Sequence, residues 1–193
     1  MQHKAANMDS CCSIVEGQIV DRHMTFTKQI GPFWHPYLIG SELHIRQVLI
    51  NILSNAVKYT PDGGEINFRA KETLFEEGLV HLRMEIKDNG IGMSEEFLQH
   101  IFEPFTQEQR SSRTHYKGTG LGMAISRNIT QMMNGDISAE SEYGKGSRFT
   151  ATMCLKCRER DEADAGVLPD LPVLVVDDDP LCCRNACRVL DEI

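Results

Sequence analysis

Two asparagines and a lysine are spaced to lie on one side of a helix. Asn51 and Asn55 are four residues apart, and Lys58 follows three residues later on a nearby face. A magnesium triphosphate needs a neutral oxygen ligand for the metal and a cation for the phosphates, and Asn55 and Lys58 supply that pair. A solvated amphipathic face explains this helix alone equally well.

A second segment has the sequence Asp-Asn-Gly-Ile-Gly over residues 88–92 and follows a strand pattern. The carboxylate of Asp88 can accept a hydrogen bond from the exocyclic amine of adenine, and Gly90 and Gly92 let backbone approach the base. The alternative is a strand-to-helix turn with Ser94 as N-cap. A short helix from Ser94 to His100 is expected in either case.

A third segment runs from Gly118 through Thr119, Gly120 and Leu121 to Gly122 and precedes a helical pattern. Glycine-rich backbone at a helix N-terminus offers unpaired N–H groups and the positive dipole end to phosphates. Such turns are common, so the match alone is weak. It is not a Walker loop, which would end in Gly-Lys followed by Ser or Thr. It is not a dinucleotide fingerprint either, since no parallel strand–helix–strand unit surrounds it.

Residues 106–117, between these segments, are polar and lack periodicity, as in a mobile flap over a nucleotide. We expect Phe102 and Phe105 to anchor this flap in the core. Three cations of the flap could reach phosphate, although solvated loop cations are the simpler interpretation of each: Arg110, Arg113 and Lys117.

Composition indicates a globular protein without basic or membrane character. The 193 residues are 41% hydrophobic and 25% charged, and the net charge of −8 argues against a nucleic-acid partner. No apolar run approaches the ~20 residues of a membrane-spanning helix. Seven cysteines include one Cys-x-x-Cys, at 154 and 157, without a second pair at zinc spacing. We expect reduced thiols in a cytoplasmic protein.

Periodicity predicts helices packed on one face of a mixed sheet, a two-layer α/β (α+β) sandwich. Ser41 is a suitable N-cap for a helix that should stop before Pro61. A second long helix covers residues 121–133 and is closed by Asn134 and Gly135. Strands are expected at 24–30, 36–39, 65–70, 79–87, 136–141 and 147–155, with the third and fourth forming a hairpin.

We expect four successive parts in the chain. Residues 1–18 are a remnant of a joining segment, 19–157 form the main domain, 158–170 are a charged linker, and 171–193 begin a second domain. The apolar run 171–176 followed by Asp177 and Asp178 has the pattern of a buried strand and an acidic turn. A lone strand and helix cannot form a core, so this second domain would be truncated.

Together these segments resemble the catalytic and ATP-binding domain of bacterial sensor histidine kinases, in the superfamily that includes gyrase, Hsp90 and MutL. Asn51 to Lys58 is similar to the N box, 88–92 to the G1 box, 102–105 to the F box and 118–122 to the G2 box. Residues 144–149 resemble the later glycine turn. The resemblance covers roughly Ile19 to Leu155 and implies the Bergerat ATP-binding fold. Gyrase, Hsp90 and MutL typically carry a glutamate where this chain has Asn51, which argues against a self-sufficient ATPase.

The resemblance implies ATP and Mg²⁺, with Asn55 on the metal, Lys58 near phosphate and Asp88 on adenine. Asn51, Asn55 and Lys58 would be the catalytic positions. Further nucleotide contacts are implied at Tyr59, Gly90, Gly92, Met93, Phe105, Arg113, Lys117, Gly118, Thr119, Gly120, Leu121 and Gly122.

The resemblance also implies transfer of the γ-phosphoryl group to a histidine on a separate dimerisation domain. None of the seven histidines has the family's acceptor context, so we expect that domain upstream, in a parent that is a homodimer and has a membrane anchor. The tail from Val173 resembles the start of a receiver domain, with Asp177 and Asp178 matching its magnesium-binding acids. The parent would then be a hybrid kinase.

Two other functions stay open at this point. A degenerate kinase would act by protein contacts and would remain silent when the histidine domain is supplied with labelled ATP. A serine kinase of the anti-sigma type shares the fold and would leave acid-stable phosphate on its target, whereas phosphohistidine is acid-labile.

Overall fold

The computed structural model describes residues 4–31, 33–35, 38–76, 78–107 and 119–157. The helices of these ranges are α1 (Lys4–Asp21), α2 (Glu42–Tyr59), α3 (Glu95–His100) and α4 (Gly122–Met132). The strands are β1 (Thr25–Ile30), β2 (Leu38–Ile39), β3 (Glu65–Glu76), β4 (Leu79–Asp88), β5 (Asp136–Glu142) and β6 (Gly146–Cys157). The predicted linker and second domain, residues 158–193, lie outside the described residues.

The six strands form one mixed sheet, as predicted. β1 pairs with β3 in parallel, and all other pairs are antiparallel, in the order β1-β3-β4-β6. β5 and β2 both pair with the outer edge of β6, at opposite ends of that strand. The buried positions of β4 alternate and are Val80, Leu82, Met84, Ile86 and Asp88. That alternation gives one face to the helices and leaves the other open.

Helix α2 follows the sequence prediction closely. The hydroxyl of Ser41 accepts a hydrogen bond from the backbone N–H of His44 at 3.3 Å, the expected N-cap. The helix ends at Tyr59, before Pro61. Its buried side chains recur at helical spacing and pack against the sheet: Val48, Leu49, Ile52, Leu53, Ala56 and Val57. Burial of this stripe fixes which face of α2 points away from the sheet.

Helix α1 packs against α2 and crosses the boundary predicted between residues 18 and 19. Its buried residues include Cys11, Cys12, Val15 and Ile19, which belong to the same core cluster as α2. The two cysteines act here as small apolar side chains. The proposed division of the chain into four parts stays a prediction.

No disulfide bond joins the four cysteines of the described residues, Cys11, Cys12, Cys154 and Cys157. Cys154 and Cys157 are three positions apart on β6, so their side chains point to opposite faces of the sheet and cannot share one metal ion. The described residues contain no group of three or more His, Cys, Asp or Glu side chains able to hold a metal.

The shorter elements agree with their predicted signals. The Ser94 hydroxyl accepts from the Phe97 N–H at 3.3 Å and begins α3. Helix α4 ends at Met132, and Asn134 takes a positive φ of 50° after it. Strands β3 and β4 form the predicted hairpin, and β3 is longer than expected because its pairing with β4 continues to Glu76. No helix of the described ranges has the length and apolarity to cross a membrane.

Candidate nucleotide site

Backbone and side-chain hydrogen bonds join the four predicted segments around α2. The Ile91 N–H donates to the Tyr59 carbonyl oxygen at 3.1 Å, which links the second segment to the end of α2. The Asn51 side chain reaches Gly122, and the Phe105 N–H donates to the Gly120 oxygen at 3.1 Å. Segments that are separate in sequence therefore meet at one place in the fold.

Asp88 ends β4 and is 5% exposed. Its Oδ1 atom accepts hydrogen bonds from the backbone N–H groups of Gly90, at 2.9 Å, and Ser147, at 3.2 Å. No described residue donates to Oδ2, which is left to accept a bond from a ligand. Burial raises the pKa of this carboxyl, and the two backbone hydrogen bonds oppose that shift.

The two glycines after Asp88 allow close backbone contacts. A Cβ atom at Gly90 would lie 2.5 Å from the Tyr59 carbonyl oxygen. Gly92 has a φ of 62°, and a Cβ atom there would overlap the Glu142 carbonyl oxygen. Larger residues would therefore push this loop away from α2 and from the β5–β6 turn.

Asn51 holds α2 against the start of α4. Its Nδ2 donates to the Gly122 carbonyl oxygen at 3.0 Å and to the Ser126 hydroxyl at 3.1 Å. Its Oδ1 accepts from Gln47 at 3.3 Å. Both ends of the Asn51 amide are therefore engaged within the protein.

Asn55 and Lys58 lie one turn and two turns beyond Asn51 on the same side of α2. Asn55 is half-buried, and its side-chain amide has no hydrogen-bond partner among the described residues. The Lys58 ammonium lies 4.8 Å from the centre of the Tyr59 ring. Tyr59 is 37% exposed, so this ring and cation line the end of the helix at the surface.

The first turn of α4 is available to an anion. Leu121 precedes the helix without a side-chain cap hydrogen bond, and its own N–H contacts the Thr119 hydroxyl at 3.4 Å. The backbone N–H groups of the first turn have no intrahelical acceptor. Gly120, at a φ of 71°, lies so close to Phe105 that a Cβ atom would be 2.8 Å from its carbonyl carbon.

Phe102 and Phe105, the two phenylalanines before the flap, were both expected in the core, and one of them differs from that prediction. Phe102 is half-buried and packs against the core, as an anchor should. The Arg127 guanidinium carbon lies 5.5 Å from the centre of the Phe102 ring. Phe105 is 74% exposed and has a φ of 63°. The expectation that Phe105 anchors the flap in the core is wrong, because its backbone turns the ring outward at the bond to Gly120.

The other predicted site residues have mixed outcomes. Met93 is 9% exposed and belongs to the core cluster, and its N–H donates to the Ser141 hydroxyl at 2.9 Å. Four predicted phosphate contacts lie outside the described residues, namely Arg110, Arg113, Lys117 and Gly118. Contact of any of these residues with a nucleotide stays a prediction.

Four further residues support the site, although none of them is among the predicted site residues. Ser147 acts through its backbone N–H, and Ser126 and Gln47 act by binding Asn51. Arg22 donates to the carbonyl oxygens of Val57 and Thr60 at the end of α2. The glycine turn at 144–146 pointed toward Ser147, but a contact made by a backbone amide cannot be inferred from residue type.

The residues present fit a magnesium nucleotide. Among the described residues, the buried Asp88 carboxylate keeps one oxygen without a hydrogen-bond donor and the Asn55 amide oxygen has no partner, while Lys58 supplies a cation. Mg²⁺ usually takes few protein ligands and completes its shell with phosphate and water, so a single amide oxygen is compatible with it.

Residues 40–156 match the family described as histidine kinase-, DNA gyrase B- and HSP90-like ATPases. Similar proteins include the peroxide stress-activated histidine kinase mak2 of Schizosaccharomyces pombe, 38% identical over 74% of the chain and 6% of mak2. The sensor histidine kinase AruS of Pseudomonas aeruginosa is 40% identical over 77% of the chain and 15% of AruS. The chain thus spans a small part of these relatives, which come from both a bacterium and a eukaryote.

Solved structures show the same fold. The nucleotide-free catalytic domain of the histidine kinase ThkA aligns with a TM-score of 0.63 at 24% identity, covering 77% of the chain and 92% of that domain. Full-length ShkA in complex with AMPPNP aligns with a TM-score of 0.66 at 22% identity, covering 81% of the chain and 31% of ShkA.

Proposed function

The chain belongs to the histidine kinase-, DNA gyrase B- and HSP90-like ATPase family, and we propose that it is the ATP-binding catalytic module of a hybrid sensor histidine kinase. In this proposal it donates the γ-phosphoryl group of ATP to a histidine on a separate dimerisation domain. The named sensor and hybrid kinases among its relatives support this assignment, including the hybrid signal transduction histidine kinase B of Dictyostelium discoideum.

The neutral, hydrogen-bonded side chain of Asn51 is the observation that favours phosphoryl transfer over hydrolysis. A group that activates water must accept a proton, and a neutral amide does not do so at ordinary pH. The Asn51 amide is in addition held by Gly122, Ser126 and Gln47. A water molecule beside the phosphates would therefore find no general base at this position, and the γ-phosphoryl would be kept for another acceptor.

The remaining site residues bind and orient the nucleotide. Asp88 accepts the exocyclic amine of adenine through Oδ2, while Gly90 and Gly92 keep the loop close enough for contact with the base. Asn55 would hold Mg²⁺ through its amide oxygen, and the bound metal would neutralise phosphate charge. Lys58 and the first backbone N–H groups of α4 compensate phosphate charge as it shifts during transfer.

The transfer itself needs a nucleophile from outside these residues. An imidazole nitrogen of the acceptor histidine forms a bond to the γ-phosphorus while the bond from that phosphorus to the β,γ-bridging oxygen breaks, and ADP leaves with the electron pair. The chain's contribution is position and charge compensation. The histidine-bearing domain, and a receiver domain downstream, are therefore the partners of this module.

The assignment is tested with γ-labelled ATP and the histidine-bearing domain of the same parent protein, added as a separate chain. We expect acid-labile label on that domain, with no transfer when its acceptor histidine is replaced by alanine. Absence of transfer with the intact partner would favour a nucleotide-binding interaction module. Acid-stable label on a protein target would favour a serine kinase.

The metal assignment is tested by calorimetric titration with Mg-ATP. We expect Asn55→Asp to change the affinity by about tenfold or more, because a charge replaces a neutral ligand beside the phosphates. Ser54→Ala, at the neighbouring exposed position on α2, is the control and should leave affinity unchanged. Equal affinities for Asn55→Asp and the parent sequence would show that Asn55 is not at the metal.

A further inference from the structure

A cavity lies on the open face of the sheet, away from the helices. It has a volume of about 390 Å³ and crosses β1, β3 and β4. The polar side chains that line it are Gln29, Arg69, Lys71, Thr73, Arg83 and Glu85. Because β3 buries Phe68 and Ala70 on the helix side, Arg69 and Lys71 necessarily point to the other side, into this cavity.

The cavity concentrates positive charge that the described residues do not neutralise. Lys71 stands directly opposite Arg83 in the β3–β4 register, and like charges at such positions destabilise a sheet. Arg83 pairs with Glu85 at 3.4 Å. Arg69 is opposite Glu85 in register, yet within the described part of the chain neither Arg69 nor Lys71 has an ion-pair partner.

This charge contrasts with the formal net charge of the whole chain, which is −8. The facing groups on the neighbouring strands do not cancel it. Lys87 adds a further cation on β4, and Glu65 adds a carboxylate at the start of β3. Arg148 on β6 is paired with Glu140 of β5 at 3.2 Å. Within the cavity itself, Arg69 and Lys71 therefore carry the positive excess.

We propose that this cavity binds an extended acidic segment of a partner protein. Arg69 and Lys71 are two residues apart on one strand, which separates their Cα atoms by about 6.8 Å. Alternate residues of an extended peptide have the same spacing, so carboxylates at every second position match the two cations. Gln29 and Thr73 extend the same row with hydrogen-bonding groups.

An extended segment fits this surface better than a compact anion. Glu85 lies within the cavity and repels a ligand that concentrates its charge at one point, whereas a strand-like ligand can place its carboxylates along β3. The ligand is therefore defined by alternating acidic residues rather than by phosphate. This inference is independent of the nucleotide site, which lies at the other face of the sheet, where the helices pack.

The test is binding of a fluorescein-labelled eight-residue peptide of alternating Glu and Thr, followed by fluorescence anisotropy. A peptide of the same composition with its glutamates in adjacent pairs is the probe control. We expect the alternating peptide to bind more tightly, and the affinity to fall as salt rises from about 50 to about 300 mM. Arg69→Glu with Lys71→Glu should weaken binding at least about tenfold.

The matched control is Arg46→Glu with Lys156→Glu, which changes the net charge equally at exposed positions outside the cavity. Because both double variants change the net charge by the same amount, this control should keep the peptide affinity within about twofold of the parent sequence. Thermal melting and Mg-ATP binding confirm that both double variants fold. Three results would overturn the proposal. The two peptides could bind equally well, or the two double variants could weaken binding equally. Inorganic triphosphate could also bind tightly in a way that depends on Arg69 and Lys71.

Discussion

The side-chain amide of Asn51 donates a hydrogen bond to the carbonyl oxygen of Gly122, with a nitrogen–oxygen distance of 3.0 Å. This bond joins the middle of α2 to the first turn of α4, so the helix that carries the proposed metal ligand and the helix proposed to face the phosphates are held in one arrangement. Ser126, which is fully buried, donates to the same carbonyl oxygen at 2.9 Å and completes the contact.

We predict that Asn51→Asp destabilises the protein by about 1–3 kcal/mol, because a carboxylate would face the Gly122 carbonyl oxygen with no proton to donate. Ser126→Ala removes one of the two acceptors of the Asn51 amide but leaves the bond to Gly122, so its cost should be smaller, about 1 kcal/mol. Denaturant unfolding of both variants measures these costs. A greater loss in Ser126→Ala than in Asn51→Asp would mean that the bond to Gly122 is not the main link.

The buried carboxyl of Asp88 predicts a pH-dependent stability. Its pKa is raised above 3.8, primarily by burial, so the folded state binds the proton more tightly than the unfolded chain. The stability that it contributes is present below pH 3.8 and is lost as the pH rises through the raised pKa. We expect Asp88→Asn to raise the Tm of the nucleotide-free protein near neutral pH, with a gain that shrinks in acid.

Circular-dichroism melting curves recorded from below pH 3.8 to neutral pH measure this gain in Tm. Asp136→Asn, at an exposed carboxyl on β5, is the control and should show no such gain. A gain of equal size in both variants would contradict the assignment of the penalty to burial of Asp88.

The approach of Gly92 to the β5–β6 turn predicts a large cost for a side chain there. Gly92→Ala should cost about 3 kcal/mol or more, because the Cβ atom would overlap the Glu142 carbonyl group and neither backbone can move alone. Gly144→Ala is the control, since Gly144 also has a positive φ, 80°, but a Cβ atom there would have no neighbour within 4 Å. It should cost only about 1 kcal/mol. Equal costs would place the penalty in the backbone conformation rather than in the contact.

Arg22 is predicted to stabilise the end of α2. Its guanidinium donates to the carbonyl oxygens of Val57 and Thr60, the latter at 2.7 Å, where the helix dipole favours a cation. Arg22→Ala should cost about 1–3 kcal/mol. Arg46→Ala, an exposed position on the same helix, should stay within about 0.5 kcal/mol. Urea unfolding compares them, and similar costs would show that Arg22 does not cap the helix.

Local signals were sufficient to predict much of this fold. The Ser41 cap predicts where α2 begins, and the apolar stripe predicts which side of that helix is buried. The alternation along β4 predicts which face of that strand is buried. The assignment of residues 1–18 to a joining segment stays a prediction, although Cys11, Cys12 and Val15 of α1 lie in the same core cluster as α2. Pairing of β3 beyond residue 70 depends on its partner strand rather than on its own residues.

The candidate site was predictable as a set of residues but not as a set of bonds. Residue type and spacing identify Asn51, Asp88 and the glycines. The fold alone shows that Asn51 is engaged by Gly122 and that the Ser147 backbone N–H holds Asp88. Phe105 was placed wrongly because its exposure follows from a positive φ, which no apolar pattern reveals.

The most direct test of the central claim is calorimetric titration of Mg-ATP into the parent sequence and into Asp88→Asn. The amide retains an oxygen for the Gly90 and Ser147 N–H groups but places an NH₂ group where Oδ2 would meet the adenine amine. We predict one site in the parent sequence and an affinity at least about tenfold lower in the variant. Unchanged affinity in a folded Asp88→Asn protein would contradict the account, because the nucleotide would then not be bound through this carboxylate.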